Sequence, residues 1–146
     1  MEHWELVARE GVRNVYAEYN HAGDRFRIDD LAACFAADGV LEIKGGARAT
    51  GREAIVEMLT GARSDDSDWT PQIRHYVASL VFATVTQDRI ASSAYFQVLT
   101  QRGLDHWGRY RDVVVRDGDR WVFAHRLVAV DAAVDGAWYD GPVSGR

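Results

Sequence analysis

The chain has 146 residues, a mass of 16.4 kDa, a net charge of −5 and a pI near 5.5, the size of one domain that buries a core unaided. With 47% apolar and 27% charged residues it falls outside the disordered class. Lys44 is the only lysine and no basic face stands out, which argues against a nucleic-acid partner; the single cysteine, Cys34, rules out an internal disulfide and suits a reducing compartment.

No apolar run approaches the length of a membrane span, and the start, Met1 to Glu5, is acidic, unlike a secretory signal. The expectation is a cytoplasmic protein with no membrane partner.

In chain order, Trp4, Val7, Ala8, Val12, Val15, Tyr16 and Tyr19 recur at helical spacing and predict a helix over residues 4–21. Gly11 is its weak point, and Gly23 is expected to end it or to sit just beyond its end. A second helix is predicted over 28–36, with Asp29 as N-cap and Leu31, Cys34 and Phe35 turned inward. Asp38-Gly39 reads as a turn into a short strand over 40–43, closed by Gly45-Gly46. A third helix is predicted over 52–62, carrying Ile55, Met58 and Leu59, followed by a polar loop over 64–68.

Beyond Ile73 the period changes. Segments 74–85, 89–100, 107–116 and 121–130 are rich in Val, Tyr, Phe and Trp and read as long strands. Their connections are short, so they should meander antiparallel. Helices followed by a meander give a single α+β domain over 1–146, with three N-terminal helices on a curved, mainly antiparallel sheet. The concavity between them is where a ligand would sit.

The ordered set Tyr19-Asn20-His21-Ala22-Gly23-Asp24, Asp30 to Val40, Gly51-Arg52-Glu53-Ala54-Ile55, Arg74-His75, Gly108 to Asp112 and Trp121-Val122-Phe123 with Arg126 and Asp131 resembles the SnoaL-like branch of the nuclear transport factor 2-like superfamily. That resemblance implies a cone-shaped α+β barrel. The branch includes scytalone dehydratase, bile-acid 7α-dehydratase and hexachlorocyclohexane dehydrochlorinase, in which a helix-end aspartate and a strand histidine abstract a proton. Those positions fall on Asp24 and His75, and a tyrosine five residues before the aspartate falls on Tyr19. One departure is visible: scytalone dehydratase has a second catalytic histidine on the following strand, and residues 95–100 contain none.

The residue types suit that chemistry. Histidine exchanges protons near neutral pH, and a carboxylate on one ring nitrogen fixes the tautomer and stabilises the imidazolium. Tyr19, one turn before the helix end, would hydrogen-bond a developing enolate. The bland alternatives are that Asp24 caps the second helix, His75 is a satisfied core histidine and Tyr19 a core tyrosine. Strand parity places only one of His125 and Arg126 toward the cavity. The family pattern favours Arg126, as a substrate anchor or in an ion pair with Asp131 or Asp112. Tyr110 is a candidate pocket residue.

His3, His21, His106 and the acidic loop are expected at the surface. No metal-ligand spacing occurs and Gly45-Gly46 lacks the setting of a nucleotide loop, so neither metal nor cofactor is expected. The resulting expectation is a cofactor-independent lyase or isomerase acting on a small hydrophobic, carbonyl-activated molecule. The alternatives are a non-catalytic ligand-binding pocket, or an assembly subunit resembling the small subunit of ring-hydroxylating dioxygenases. A homodimer or homotrimer formed through the sheet is expected.

Overall fold

The computed structural model describes residues 1–61 and 69–145. Helix α1 (His3–Asp24) buries the stripe Ala8, Val12, Val15, Tyr16, Tyr19, Asn20 and Ala22. Trp4 and Val7, expected on that stripe, are exposed because the first turn runs beyond the core. Gly11 is the point of closest approach to the sheet: a Cβ there would lie 2.2 Å from the Trp121 ring. Any side chain would push the helix outward, so the poor helix former is retained for packing.

Gly23 does not stop the helix. The last turn closes two residues after Asp24, where the Phe26 N–H donates to Gly23 O (3.1 Å) and the Arg27 N–H donates to Ala22 O (2.9 Å). This is the double bond of a Schellman cap, and it needs a left-handed residue at Phe26, whose φ is 56°. A glycine usually occupies such a position. Phenylalanine accepts the strain because its ring packs on the core.

Helix α2 (Ile28–Ala32) is four residues shorter than expected. Its N-cap is Arg27, without a side-chain cap, and Asp29 lies in the first turn. The helix ends early because Phe35 is recruited into strand β1 (Phe35–Ile43), where it pairs with Phe123 at 5.4 Å between rings. Asp38-Gly39 is thus part of a bulge within β1, not a turn before it. Gly39 is required there, since a Cβ would meet Phe123 O at 2.8 Å.

Strand β2 (Arg48–Thr50), too short to leave a periodic signal, pairs with β1 across the Gly45-Gly46 turn. Helix α3 (Arg52–Gly61) follows, with Ile55 buried. The expected last residue of that helix, Ala62, and the loop 64–68 lie outside the described residues.

Strands β3 (Arg74–Val85), β4 (Arg89–Thr100), β5 (Gly103–Asp117) and β6 (Arg120–Ala133) form the antiparallel meander, each within a few residues of expectation. The sheet order is β2-β1-β6-β5-β4-β3, with β1 and β6 parallel. It is strongly curved but not closed. Helix α1 lies on the concave face, in contact with both β6 and β3. The chain after β6 folds back: the Ser144 N–H donates to Val130 O (2.9 Å), and the Val134 N–H to Asp105 O (2.9 Å). No helix among the described residues is long and apolar enough to cross a membrane.

Candidate active site

The Schellman cap fixes where α1 stops, and therefore where Asp24 sits. Its carboxylate faces the first residues of β3. The His75 backbone N–H donates to both carboxylate oxygens at 3.1 Å, and the His75 Nδ1 lies 2.6 Å from Oδ1. Both side chains are mostly but not fully buried, at 19% exposure for His75 and 11% for Asp24. The carboxylate accepts the Nδ1 proton, which leaves Nε2 with its lone pair free. No other protein group bonds to that nitrogen among the described residues. The two residues singled out in the sequence are therefore in contact, and Asp24 does not cap α2.

Tyr19, Tyr110 and Arg126 converge in a second cluster. Strand parity is settled in favour of Arg126, which is fully buried, while His125 points away and bonds Glu42 at 2.9 Å. The Arg126 guanidinium donates to Asp112 through Nε (2.9 Å) and Nη2 (2.8 Å), a bidentate pair with both side chains sealed from solvent. Asp131 pairs instead with Arg109 at 2.9 Å.

Four aromatic rings enclose the guanidinium, with Tyr110 at 3.8 Å, Phe123 at 4.0 Å, Tyr19 at 4.3 Å and Tyr16 at 4.5 Å. The Tyr16 hydroxyl donates to the same Asp112 carboxylate and meets Ser92 Oγ at 3.2 Å. Burial dominates the protonation of this cluster and raises the phenols of Tyr16, Tyr19 and Tyr110, so all three remain donors. Arg126 stays charged: burial opposes the charge, but Asp112 beside it more than compensates. Among the described residues two buried side-chain polar atoms have no partner, Arg126 Nη1 and Asn20 Oδ1. Sequence reasoning missed Asn20, which sits on the apolar stripe of α1 beside Tyr19.

The two clusters communicate through Phe96. Its ring stacks on Tyr110 at 4.5 Å and lies 6.4 Å from the His75 imidazole. A third polar group, unforeseen, borders the same ring. His106, expected at the surface, is buried 6.0 Å from Phe96 and accompanied by buried Asp105. Two clefts open elsewhere: one of about 630 Å³ between Arg9, Arg13 and Phe82, the other of about 290 Å³ beside Cys34 and Arg120; neither is lined by Asp24 or His75. Among the described residues no three His, Cys, Asp or Glu side chains converge as metal ligands.

A helix-capped carboxylate and a strand histidine on the concave face of a curved open sheet place the molecule among the nuclear transport factor 2-like α+β proteins. More narrowly, residues 4–127 match the model of the SnoaL-like domain, and the chain belongs to that family. A protein from Catenulispora acidiphila is 31% identical, over 88% of this chain and 96% of its own, with a TM-score of 0.77. A protein from Novosphingobium aromaticivorans assigned as a scytalone dehydratase superposes over 99% of this chain and 96% of its own, with TM-score 0.81 and 20% identity. LinA superposes over 95% of this chain and 97% of its own, with TM-score 0.76 and 17% identity. No curated protein sequence matches the chain.

Proposed function

We propose that the protein is a cofactor-independent lyase or isomerase that abstracts a proton from a small, hydrophobic, carbonyl-activated molecule. The observation that carries this reading is the 2.6 Å contact between His75 Nδ1 and Asp24, with Nε2 free. In the reaction, Nε2 takes a proton from the carbon next to the carbonyl. The C–H pair moves into the enolate, and Asp24 balances the imidazolium that forms. The Tyr19 phenol, held protonated by burial, is the donor assigned to the enolate oxygen.

Collapse of the enolate then expels a leaving group from the β-carbon with its bonding pair, and the imidazolium returns the proton to it. If no leaving group is present, the proton returns at the γ-carbon and the double bond migrates. Arg126, sealed against Asp112, would contribute by positioning the Tyr19 and Tyr110 rings packed on it, and Tyr110 through the floor it forms under Phe96. A protein from Catenulispora acidiphila that is 30% identical to this chain is solved in complex with S-DNPA, which supports small-molecule binding in this branch.

One observation favours a second reading. The rings around Arg126 fill the middle of the concavity, as they would in an assembly subunit that supports a catalytic partner. Turnover separates the two. A screen of enolisable polycyclic ketones and β-hydroxy carbonyl compounds, read by loss of the α-proton in deuterated water, should find a substrate whose exchange vanishes in His75→Ala. Exchange that persists in His75→Ala would sink the catalytic reading.

A further inference from the structure

His106 shares the inward face of β5 with Gly108, Tyr110, Asp112 and Val114, and an irregularity in the sheet brings its neighbour Asp105 inward as well. On β4, Val98 and Leu99 are adjacent, yet they face His106 and Leu104 on β5, so Asp105 is an extra residue at that point. The bulge turns consecutive residues Asp105 and His106 into the interior, where regular alternation would have placed one of them outside. Unbroken register up to that point aligns His106 with His75, since both are register partners of Val98, one from each side. Directly opposed residues in antiparallel strands share a face, and two strand spacings put their Cα atoms roughly 10 Å apart. The ring of Phe96 borders both imidazoles, at 6.4 Å and 6.0 Å.

The second imidazole is built like the first. Its Nδ1 lies 2.8 Å from Asp105 Oδ2, and that carboxylate is itself fixed by the backbone N–H groups of Trp138 (2.7 Å) and Tyr139 (3.1 Å). The Tyr139 ring stacks on the imidazole at 4.5 Å. The Nδ1 proton therefore points at Asp105 and the Nε2 lone pair has no protein partner among the described residues. That nitrogen is not among the sealed, unpaired atoms either, so it is open to a group from outside the chain.

Resting on the proton-abstraction reading, we propose that His106, oriented by Asp105, is a specificity residue: its Nε2 accepts a hydrogen bond from a hydroxyl of the substrate. The substrate class that follows is a flat molecule of two or three fused rings lying over Phe96. Its acidic C–H is presented to His75 and its hydroxyl to His106. Burial disfavours the charged imidazole more than Asp105 restores it, and His75 nearby adds to the effect, so His106 is held neutral and acts as an acceptor. The titratable groups facing it are Asp105 on its own strand, His75 on β3 and Tyr139 on the C-terminal segment.

The test uses two inert probes of nearly the same shape, 2-naphthol, which donates a hydrogen bond, and 2-methoxynaphthalene, which does not. Wild type should bind 2-naphthol about tenfold more tightly, the worth of one hydrogen bond in a dry site. The preference should disappear in His106→Phe, which keeps a flat ring against Tyr139, and survive in His75→Gln. In wild type, 2-naphthol but not 2-methoxynaphthalene should move the ¹⁵N shift of His106 Nε2, a readout that needs no variant to fold. Equal affinities in wild type, a preference retained in His106→Phe, an unmoved Nε2 shift, or binding of neither probe would each overturn the proposal. A protein that passes this test yet exchanges no ketone proton retires the proton-abstraction reading and leaves the hydroxyl acceptor standing.

Discussion

Asp24 holds His75 at two points, accepting the imidazole Nδ1–H and the backbone N–H of the same residue. The ring and the strand that carries it are thereby locked to one carboxylate, so the imidazole cannot turn without breaking the end of α1 away from β3.

This coupling sets an order of severity. On any substrate found, His75→Gln should lower turnover by roughly 10²–10⁴-fold, the usual cost of losing a general base. Asp24→Asn should be comparably severe, because an amide no longer favours the Nε2 lone pair or balances the imidazolium. Tyr19→Phe should cost less, in line with one lost hydrogen bond. Turnover per folded molecule, with folding checked by circular dichroism, decides it. Full activity in His75→Gln would contradict the assignment.

Arg126 and Asp112 should behave as one unit. Arg126→Met leaves Asp112 charged, buried and unpaired, and should cost about 3–5 kcal/mol of stability. The double variant Arg126→Met with Asp112→Leu should recover much of that loss, which urea unfolding of wild type, each single variant and the double variant will measure. Strict additivity of the two losses would show that the pair is not coupled.

Acid should loosen the Asp105–His106 end first. Burial opposes charge on Asp105, but hydrogen bonds from His106 and the two amides more than offset it, and its pKa falls below the ordinary 3.8. That of His106 falls below the ordinary 6.5. For both groups the folded chain holds fewer protons than the unfolded chain, so stability rises with pH. The contribution of His106 is complete above about pH 6.5 and is lost as pH falls below it; that of Asp105 follows below about 3.8. A melting temperature that declines below pH 6.5 in wild type, and no longer does so in His106→Phe, is the expected result. Identical pH profiles would refute it.

The sheet face turned away from α1 carries exposed Tyr76, Tyr95 and Trp107, and Tyr76 and Trp107 flank Gln97 in one row. Covering such a face removes apolar area from water. Light scattering at micromolar concentration should return two or three times the 16.4 kDa of one chain, and Tyr95→Glu should reduce it to one. A single-chain mass for wild type would rule this out.

The fold was legible wherever period carried it. The 3.6-residue stripe of α1 and the alternation of β3 to β6 stood out because each packs one face on a common core. The contact of Asp24 with His75 joins residues far apart in the chain, so spacing permitted it and only the family resemblance recommended it. What escaped was non-periodic. One extra residue at Asp105 turns a carboxylate inward beside His106. A phenylalanine at position 26 occupies a glycine's conformation, so no sequence signal marked the true end of α1. The early end of α2 depends on Phe35 preferring Phe123, a tertiary choice invisible in local propensity.

Gly11 is a fulcrum. From there to Asp24 the helix runs about 20 Å as a stiff rod, so tilting it by roughly 3° at position 11 swings the carboxylate by about 1 Å. A methyl group at Gly11 has nowhere to go but into Trp121, and tilt is how the rod would relieve it. A displacement of that size at a reacting group is enough to cost about 10²-fold in rate. Gly11→Ala, more than three turns of α1 away from Asp24 and His75, would therefore register as a lesion of catalysis before it registered as one of folding.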